Sequence, residues 1–287
     1  AQEGGIGVIH KNLNIAEQRR PQDGRFALEE YDIDVRISVV PTIHGEKVQM
    51  RFLDKNRLVL EFPSLGLNEE QQKEYERALT QNQGMVLVTG PTGSGKTTTL
   101  YSGLAFINTP EKHIMTVEDP VEYVFPTINQ IQVHPEIDLR FANILRSILR
   151  QDPDVIMVGE IRDQETGELA VRASLTGHLV LSTLHTVNAI AAVNRLVSMG
   201  VRPYLLGSSL SLLISQRLVR RICARCKEPY HPAPASLEQL DLDPSAEYFR
   251  GKGCGYCNQA GYRGRVALFE LLPTGRKIAQ LISAGAM

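Results

Sequence analysis

The sequence contains no tryptophan, only 6% aromatic residues and no surplus of positive charge. Its 31 Lys and Arg face 32 Asp and Glu, for a net charge of −1 and a pI of about 6.7. A protein that works on phosphate backbones carries a basic excess, and one that stacks bases interleaves aromatics with cations. Neither pattern is present. Lys and Arg cluster only locally, at 217–221, a run that equally suits a helix C-terminus. No apolar run approaches the roughly 20 residues of a membrane-spanning helix; the longest, 85–89 and 155–158, have strand length. Residues 1–7 are polar and glycine-rich, unlike a secretory signal, and the first residue is not Met, so the chain reads as a fragment. Cysteine is scarce: four residues in two C-x-x-C pairs, which in a cytosolic-looking chain points to metal rather than disulfides. What remains is 43% hydrophobic and 22% charged over 287 residues, the profile of a soluble globular protein with one large or two ordinary domains.

Residues 1–80 and 81–287 read differently. Stretches 26–30, 32–40 and 47–53 are short and β-branched or alternating, separated by turn material at 22–24 and 44–46; they predict a small antiparallel or α+β domain. A polar, helix-permissive stretch follows at 69–80, with Pro63 and Gly66 as breakers near the domain boundary. From Met85 the pattern becomes strand–helix alternation. Apolar strands are expected at 85–89, 114–117, 155–158 and 178–183, and helices at 96–108, 141–150 and 164–175. This is the signature of an α/β fold with an open, mostly parallel sheet. A Cys-, Gly- and Pro-rich insertion at 221–265 interrupts it.

The chemistry is written most densely at 90–97, Gly-Pro-Thr-Gly-Ser-Gly-Lys-Thr, which fits G-x-x-x-x-G-K-[ST] and sits between an apolar strand and a helix. Pro91, Thr92, Gly93, Ser94, Gly95 and Thr98 would line a phosphate cradle, all but Pro91 offering backbone N–H groups at a helix N-terminus. Lys96 would reach the β- and γ-phosphates, and the Thr97 hydroxyl would ligate Mg²⁺. Val155–Val158 runs to Glu160, a strand delivering an acid to the metal or the attacking water. Glu118, Asp119 and Glu122 form a second acidic cluster at a strand end, where ligands gather in doubly wound sheets. His178 and His185 bracket the next strand; seven residues apart on a strand of period two they point to opposite sides, which speaks against a shared metal site, and His185, at the C-terminal end, is placed to sense a γ-phosphate. Cys223, Cys226, Cys254 and Cys257, with 27 residues between the pairs, suit a closed tetrahedral Zn²⁺ site of structural type. Other classes share parts of this pattern: a nucleic-acid translocase, a non-hydrolysing nucleotide-binding scaffold, and, with no acceptor lid to support it, a small-molecule kinase.

Taken together these motifs resemble the secretion ATPases of bacterial type II secretion and type IV pilus assembly, along nearly the whole chain. The marks are Asn14-Ile-Ala-Glu17 with Pro21-Gln-Asp-Gly-Arg25, the phosphate loop, the acidic box at 116–122, 150–154 leading to Gly159-Glu160-Ile-Arg-Asp163, the histidine box from 176 to 186, and 261–265 after the last Cys. The resemblance implies a PAS-like domain at 1–80, then a RecA-like ATPase domain at 81–287 containing the tetracysteine element, assembled as a homo-hexamer. It also implies ATP, Mg²⁺ and Zn²⁺, with Arg25 and Arg36 of the first domain helping neutralise the phosphates. Expected partners are inner-membrane platform and cytoplasmic-domain proteins. The expected location is cytoplasmic, peripheral to the inner membrane through those partners, with no nucleic acid. The tetracysteine element fits assembly rather than retraction, and 44–46 with 53–55 look closer to the type II branch. A preceding docking domain is expected to be missing, and the chain stops soon after 270–272, earlier than full-length relatives.

Overall fold

Ile33, Val35, Ile37 and Val39 alternate with polar residues, the period of a half-buried strand. In the computed structural model, which describes residues 13–14, 16–54 and 62–286, they lie on β2 (Ile33–Thr42), between β1 (Gln22–Leu28) and β3 (Gly45–Asp54) in an antiparallel sheet. Ile43 and His44 close the β2–β3 hairpin, with Gly45 at φ 114° supplying the left-handed backbone that a tight turn needs. Ile37 and Val39 pack with Leu13 and Phe26. The 22–24 stretch, expected as a turn, is instead the start of β1. Gln22 is held in place by bonds from its Nε2 to Asn14 O (2.9 Å) and Glu17 O (2.6 Å), and Gly24 pairs with Ile37. Residues 1–7, Ile15 and Lys55, named above, lie outside the described residues.

The chain divides into two compact units, 1–59 and 60–287, so the division falls ahead of residue 80. The reason is the packing of the intervening helices. After α1 (Phe62–Leu65), helix α2 (Glu69–Leu79) opens on a capping box between Asn68 and Gln71. It buries Tyr75, whose hydroxyl donates to Thr99 O at 2.9 Å on α3 (Lys96–Ile107). Gly103 makes the contact possible, since a Cβ there would lie 2.5 Å from the Tyr75 hydroxyl.

The second unit is built on a seven-stranded sheet. Its strands in spatial order are β12 (Tyr262–Pro273), β9 (Leu210–Ile222), β4 (Gly84–Thr89), β8 (Leu179–Leu184), β7 (Val155–Val158), β5 (Ile114–Glu118) and β6 (Asn129–Gln132). All pairs are parallel except β12–β9. Every residue of β4, β5, β7 and β8 is buried, as continuous apolar runs in a sheet covered on both faces must be. The remaining helices are α4 (Phe141–Ile148), α5 (Gln164–Leu175), α6 (Ala189–Ser198), α7 (Pro203–Ser209), α8 (Pro234–Gln239) and α9 (Arg276–Ser283). The mostly parallel α/β sheet is thus as the alternation predicts. Arg217–Arg221, compatible with a helix end by sequence, belongs to the strand β9: once past β4, this long strand still pairs with β12, leaving Arg217, Arg220 and Arg221 exposed. The cysteine element is the elaborated tip of that β9–β12 hairpin and carries its own pair, β10 (Lys227–Tyr230) with β11 (Tyr248–Gly251).

Candidate active site

Four adjacent parallel strands deliver the functional side chains at their C-terminal ends, because the turn after each strand opens on the same edge of the sheet. The phosphate loop 90–95 follows β4, His185 follows β8, Glu160 follows β7, and Glu118 ends β5. The loop needs its glycines. Gly90, Gly93 and Gly95 have φ of 150°, 76° and 91°, and a Cβ on Gly90 would sit 2.3 Å from Gln216 O. Gln216, buried on β9, also accepts from Thr99 Oγ1 at 2.7 Å, so it braces both the loop and the helix that follows. Ser94 Oγ is buried in the loop without a hydrogen-bond partner among the described residues. Thr97 is exposed on the first turn of α3, where the N–H groups have no intrahelical acceptor.

The structure brings Lys96, His185 and Glu160 together. Lys96 is buried, and its Nζ donates to Gly90 O (2.9 Å) and Pro91 O (3.2 Å), with His185 Nδ1 at 3.4 Å. Burial lowers the lysine pKa, an effect that the nearby Glu160 carboxylate opposes. His185 Nε2 lies 3.6 Å from Glu160 Oε2. Burial and then the Lys96 charge lower the histidine pKa, which favours a neutral ring with its proton on Nε2 and the Nδ1 lone pair facing the ammonium. His178 is at the other end of β8, its Nδ1 3.0 Å from Ala173 O on α5.

Glu160 is also paired with Arg162, whose other arm donates to Asp119 Oδ2 at 3.3 Å. The bond to Glu160 raises the Arg162 pKa. Arg162 therefore connects the two acidic strand ends. Gly159 lets these ends approach: its N–H donates to Val117 O at 2.8 Å, and a Cβ would meet Val117 O at 3.3 Å and Glu118 Cα at 3.4 Å. Glu118 is fully enclosed. Its Oε1 accepts from Thr116 Oγ1 (2.6 Å) and Gln130 Nε2 (3.0 Å), and its Oε2 from the Tyr101 hydroxyl. Burial raises its pKa against these three bonds.

Arg25 and Arg36 belong to the first unit, directly opposite one another on β1 and β2, and Arg25 pairs with the buried Asp34. Sequence reading missed the bracing roles of Gln216, Arg162, Tyr101 and Gln130. Only Arg162 carried a signal, two residues after the strand-end glutamate; the others act across the fold.

The four cysteines are free, and their sulfurs all lie within 4.8 Å of one another. Sγ separations are 3.9 Å for Cys223–Cys254, 3.8 Å for Cys226–Cys257 and 3.7 Å for Cys254–Cys257. A tetrahedron of sulfurs about 2.3 Å from a central zinc has edges of about 3.8 Å, so the donor set fits that ion. The knuckles are joined outside the sulfurs too: Arg225 and Arg263 stack on Tyr256, at 4.0 and 3.9 Å from the ring centroid.

A family model described as type II/IV secretion system protein matches residues 8–287. The type II secretion system protein E of Pseudomonas aeruginosa is 52% identical over 268 residues, covering 92% of this chain and 53% of that protein. The type IV pilus assembly ATPase PilB of Myxococcus xanthus is 49% identical, covering 97% of this chain and 50% of its own. The chain thus spans about half the length of the curated relatives it matches. Among solved structures, the pilus retraction motor PilT with bound ADP matches with a TM-score of 0.71 and 31% identity, over 98% of this chain and 73% of that one. The RecA-like P-loop fold that the family resemblance implies is therefore the fold of the second unit. With a family model covering the described chain and relatives near 50% identity, this chain belongs to the type II/IV secretion system protein family.

Proposed function

We propose that this chain binds and hydrolyses ATP, and that the full-length protein couples hydrolysis to assembly of a type II secretion pseudopilus or a type IV pilus. The observation that carries this reading is the convergence of Lys96, His185 and Glu160 beside a glycine-rich phosphate loop, at the C-terminal ends of adjacent parallel strands. The residues fit nucleotide with magnesium: the unpartnered Ser94 hydroxyl lies in a loop whose three glycines have positive φ, and the exposed Thr97 hydroxyl follows on the first turn of α3, the local geometry by which backbone N–H groups can cradle an anion. Thr97, with Glu160 or Glu118, would hold Mg²⁺, which would neutralise charge on the phosphates.

In this reading Pro91, Thr92, Gly93, Ser94, Gly95 and Thr98 cradle the phosphates, while Lys96 brings its charge to the β- and γ-positions. Glu160 and Glu118 divide metal ordering and water activation. His185, neutral between a lysine and a carboxylate, responds to a γ-phosphate by exchanging partners. The first unit is read as the PAS-like domain, with Arg25 and Arg36 completing the charge clamp when subunits close into a homo-hexameric ring. Cys223, Cys226, Cys254 and Cys257 hold one structural Zn²⁺. The protein works at the cytoplasmic side of the inner membrane, held there by platform and cytoplasmic-domain partners. Among the described residues no helix is long and apolar enough to cross a membrane.

The test is Mg²⁺-dependent phosphate release by the full-length protein, with and without its inner-membrane partner. Turnover stimulated by the partner is expected. Tight ATP binding without turnover would mark a scaffold, and stimulation by DNA or RNA that falls steeply with salt would mark a translocase.

A further inference from the structure

The Glu118 carboxylate is not simply an acid at a strand end; it is gripped by two residues for which the proposed mechanism has so far found no use. Tyr101 is fully buried on α3, four residues after Thr97 and therefore on the same face of the helix that begins the phosphate site. Its hydroxyl donates to Glu118 Oε2 and accepts from the backbone N–H groups of Glu122 (3.2 Å) and Tyr123 (3.4 Å). One proton and two lone pairs are all a phenol has, so its bonding capacity is spent on the acidic strand end and the loop after it. Gln130, on the edge strand β6, holds the other carboxylate oxygen through Nε2 (3.0 Å). The same nitrogen donates to Tyr123 O (2.9 Å), and Gln130 Oε1 accepts from Phe125 N (2.7 Å). Phe125 in turn packs edge-on to the Tyr101 ring, centroids 5.4 Å apart.

We propose that Tyr101 and Gln130 are positioning residues that hold Glu118 by its two oxygens and lock the 119–125 loop to the phosphate-binding helix. A displacement of α3 is thereby transmitted to the carboxylate and its loop as one body. The physical basis is the cost of leaving buried polar groups unpaired. If α3 moved without Glu118, the buried carboxylate would lose a donor and two part-buried loop N–H groups would lose their acceptor. The proposal rests on the reading that Glu118 serves hydrolysis.

The test is a double-mutant cycle in the full-length protein, with steady-state ATPase and binding of a fluorescent ATP analogue in Mg²⁺. Tyr101→Phe should lower kcat at least tenfold while KM and analogue affinity stay within about twofold. In a Glu118→Gln background the same change should have little further effect, because the phenol acts through that carboxylate. Gln130→Leu, at a half-exposed edge position, should behave likewise; if Tyr101→Phe fails to fold by circular dichroism, Gln130→Leu decides. Losses that multiply with that of Glu118→Gln would show a merely structural role and overturn the proposal, as would wild-type turnover in Tyr101→Phe or Gln130→Leu. If Glu118→Gln itself turns over normally, the fault lies with the role assigned to Glu118 in hydrolysis, a separate failure.

Discussion

Removing one thiolate from the cysteine cluster should melt the tip of the β9–β12 hairpin and leave the ATPase core standing. Besides the cysteines, the element between Cys223 and Gly261 is held by local contacts within itself. Its β10–β11 ladder is four residues long; Arg225 and Arg263 stack on Tyr256, Lys227 on Phe249 and Arg250 on Tyr230, at about 0.5–1 kcal/mol each for exposed sites, and Arg250 pairs with Glu228. Structural zinc contributes roughly 10–16 kcal/mol in small zinc-dependent folds. Losing even a quarter of that, about 3 kcal/mol, corresponds to roughly a hundredfold gain in local opening. The main apolar core, among the described residues, takes nothing from 223–261. Cys254→Ser should therefore raise amide exchange across 223–261 by about two orders of magnitude while basal turnover stays within about threefold. Coupling to membrane partners should suffer more. The assays are zinc release on thiol titration, expected at one ion per chain, and hydrogen exchange before and after chelation. Equal protection in zinc-free and zinc-loaded protein would refute the reasoning, as would disulfides under reducing conditions.

Four further outcomes are expected. Lys96→Ala should reduce turnover at least about a hundredfold without changing the thermal melt; activity within tenfold of wild type would remove the loop from the active site. Glu160→Gln should cut kcat by roughly 10²–10⁴ with nucleotide affinity retained, and normal turnover would return this carboxylate to a structural ion pair with Arg162. In nucleotide- and metal-free protein His185 should titrate below its ordinary value of about 6.5, because burial and then Lys96 disfavour its charged form. With the folded pKa depressed, its contribution to stability is complete above about 6.5 and is lost as pH falls through the folded value; an NMR midpoint at or above the ordinary value would contradict this, and Lys96→Ala should move the midpoint upward. Forced hexamerisation should raise turnover, and Arg25→Ala or Arg36→Ala should erase the gain, on the scale of roughly 10³–10⁵ for an arginine supplied from outside the site; a ring indifferent to both changes would leave them as strand-surface charges.

What could be read from the chain alone was whatever depends on near neighbours in sequence. The phosphate loop is legible because its glycines, Lys96 and Thr97 fall within eight consecutive residues, the glycines required by the local backbone. The parallel sheet is legible because strands buried on both faces must be continuously apolar. The C-x-x-C pairs announce a metal because two thiolates at that spacing turn toward one point. Only tertiary structure decided which of these pieces meet. Whether 60–80 belonged to the first or second unit depended on Tyr75 reaching Thr99 on another helix. The fate of Arg217–Arg221 depended on β12, some fifty residues away, offering a pairing edge. That Glu160 would face His185 and Lys96, while Glu118 would be enclosed by Tyr101, Thr116 and Gln130, depended on strand order. Strand order sums many weak long-range contacts that leave no local period in the sequence, so no window of neighbouring residues contains it.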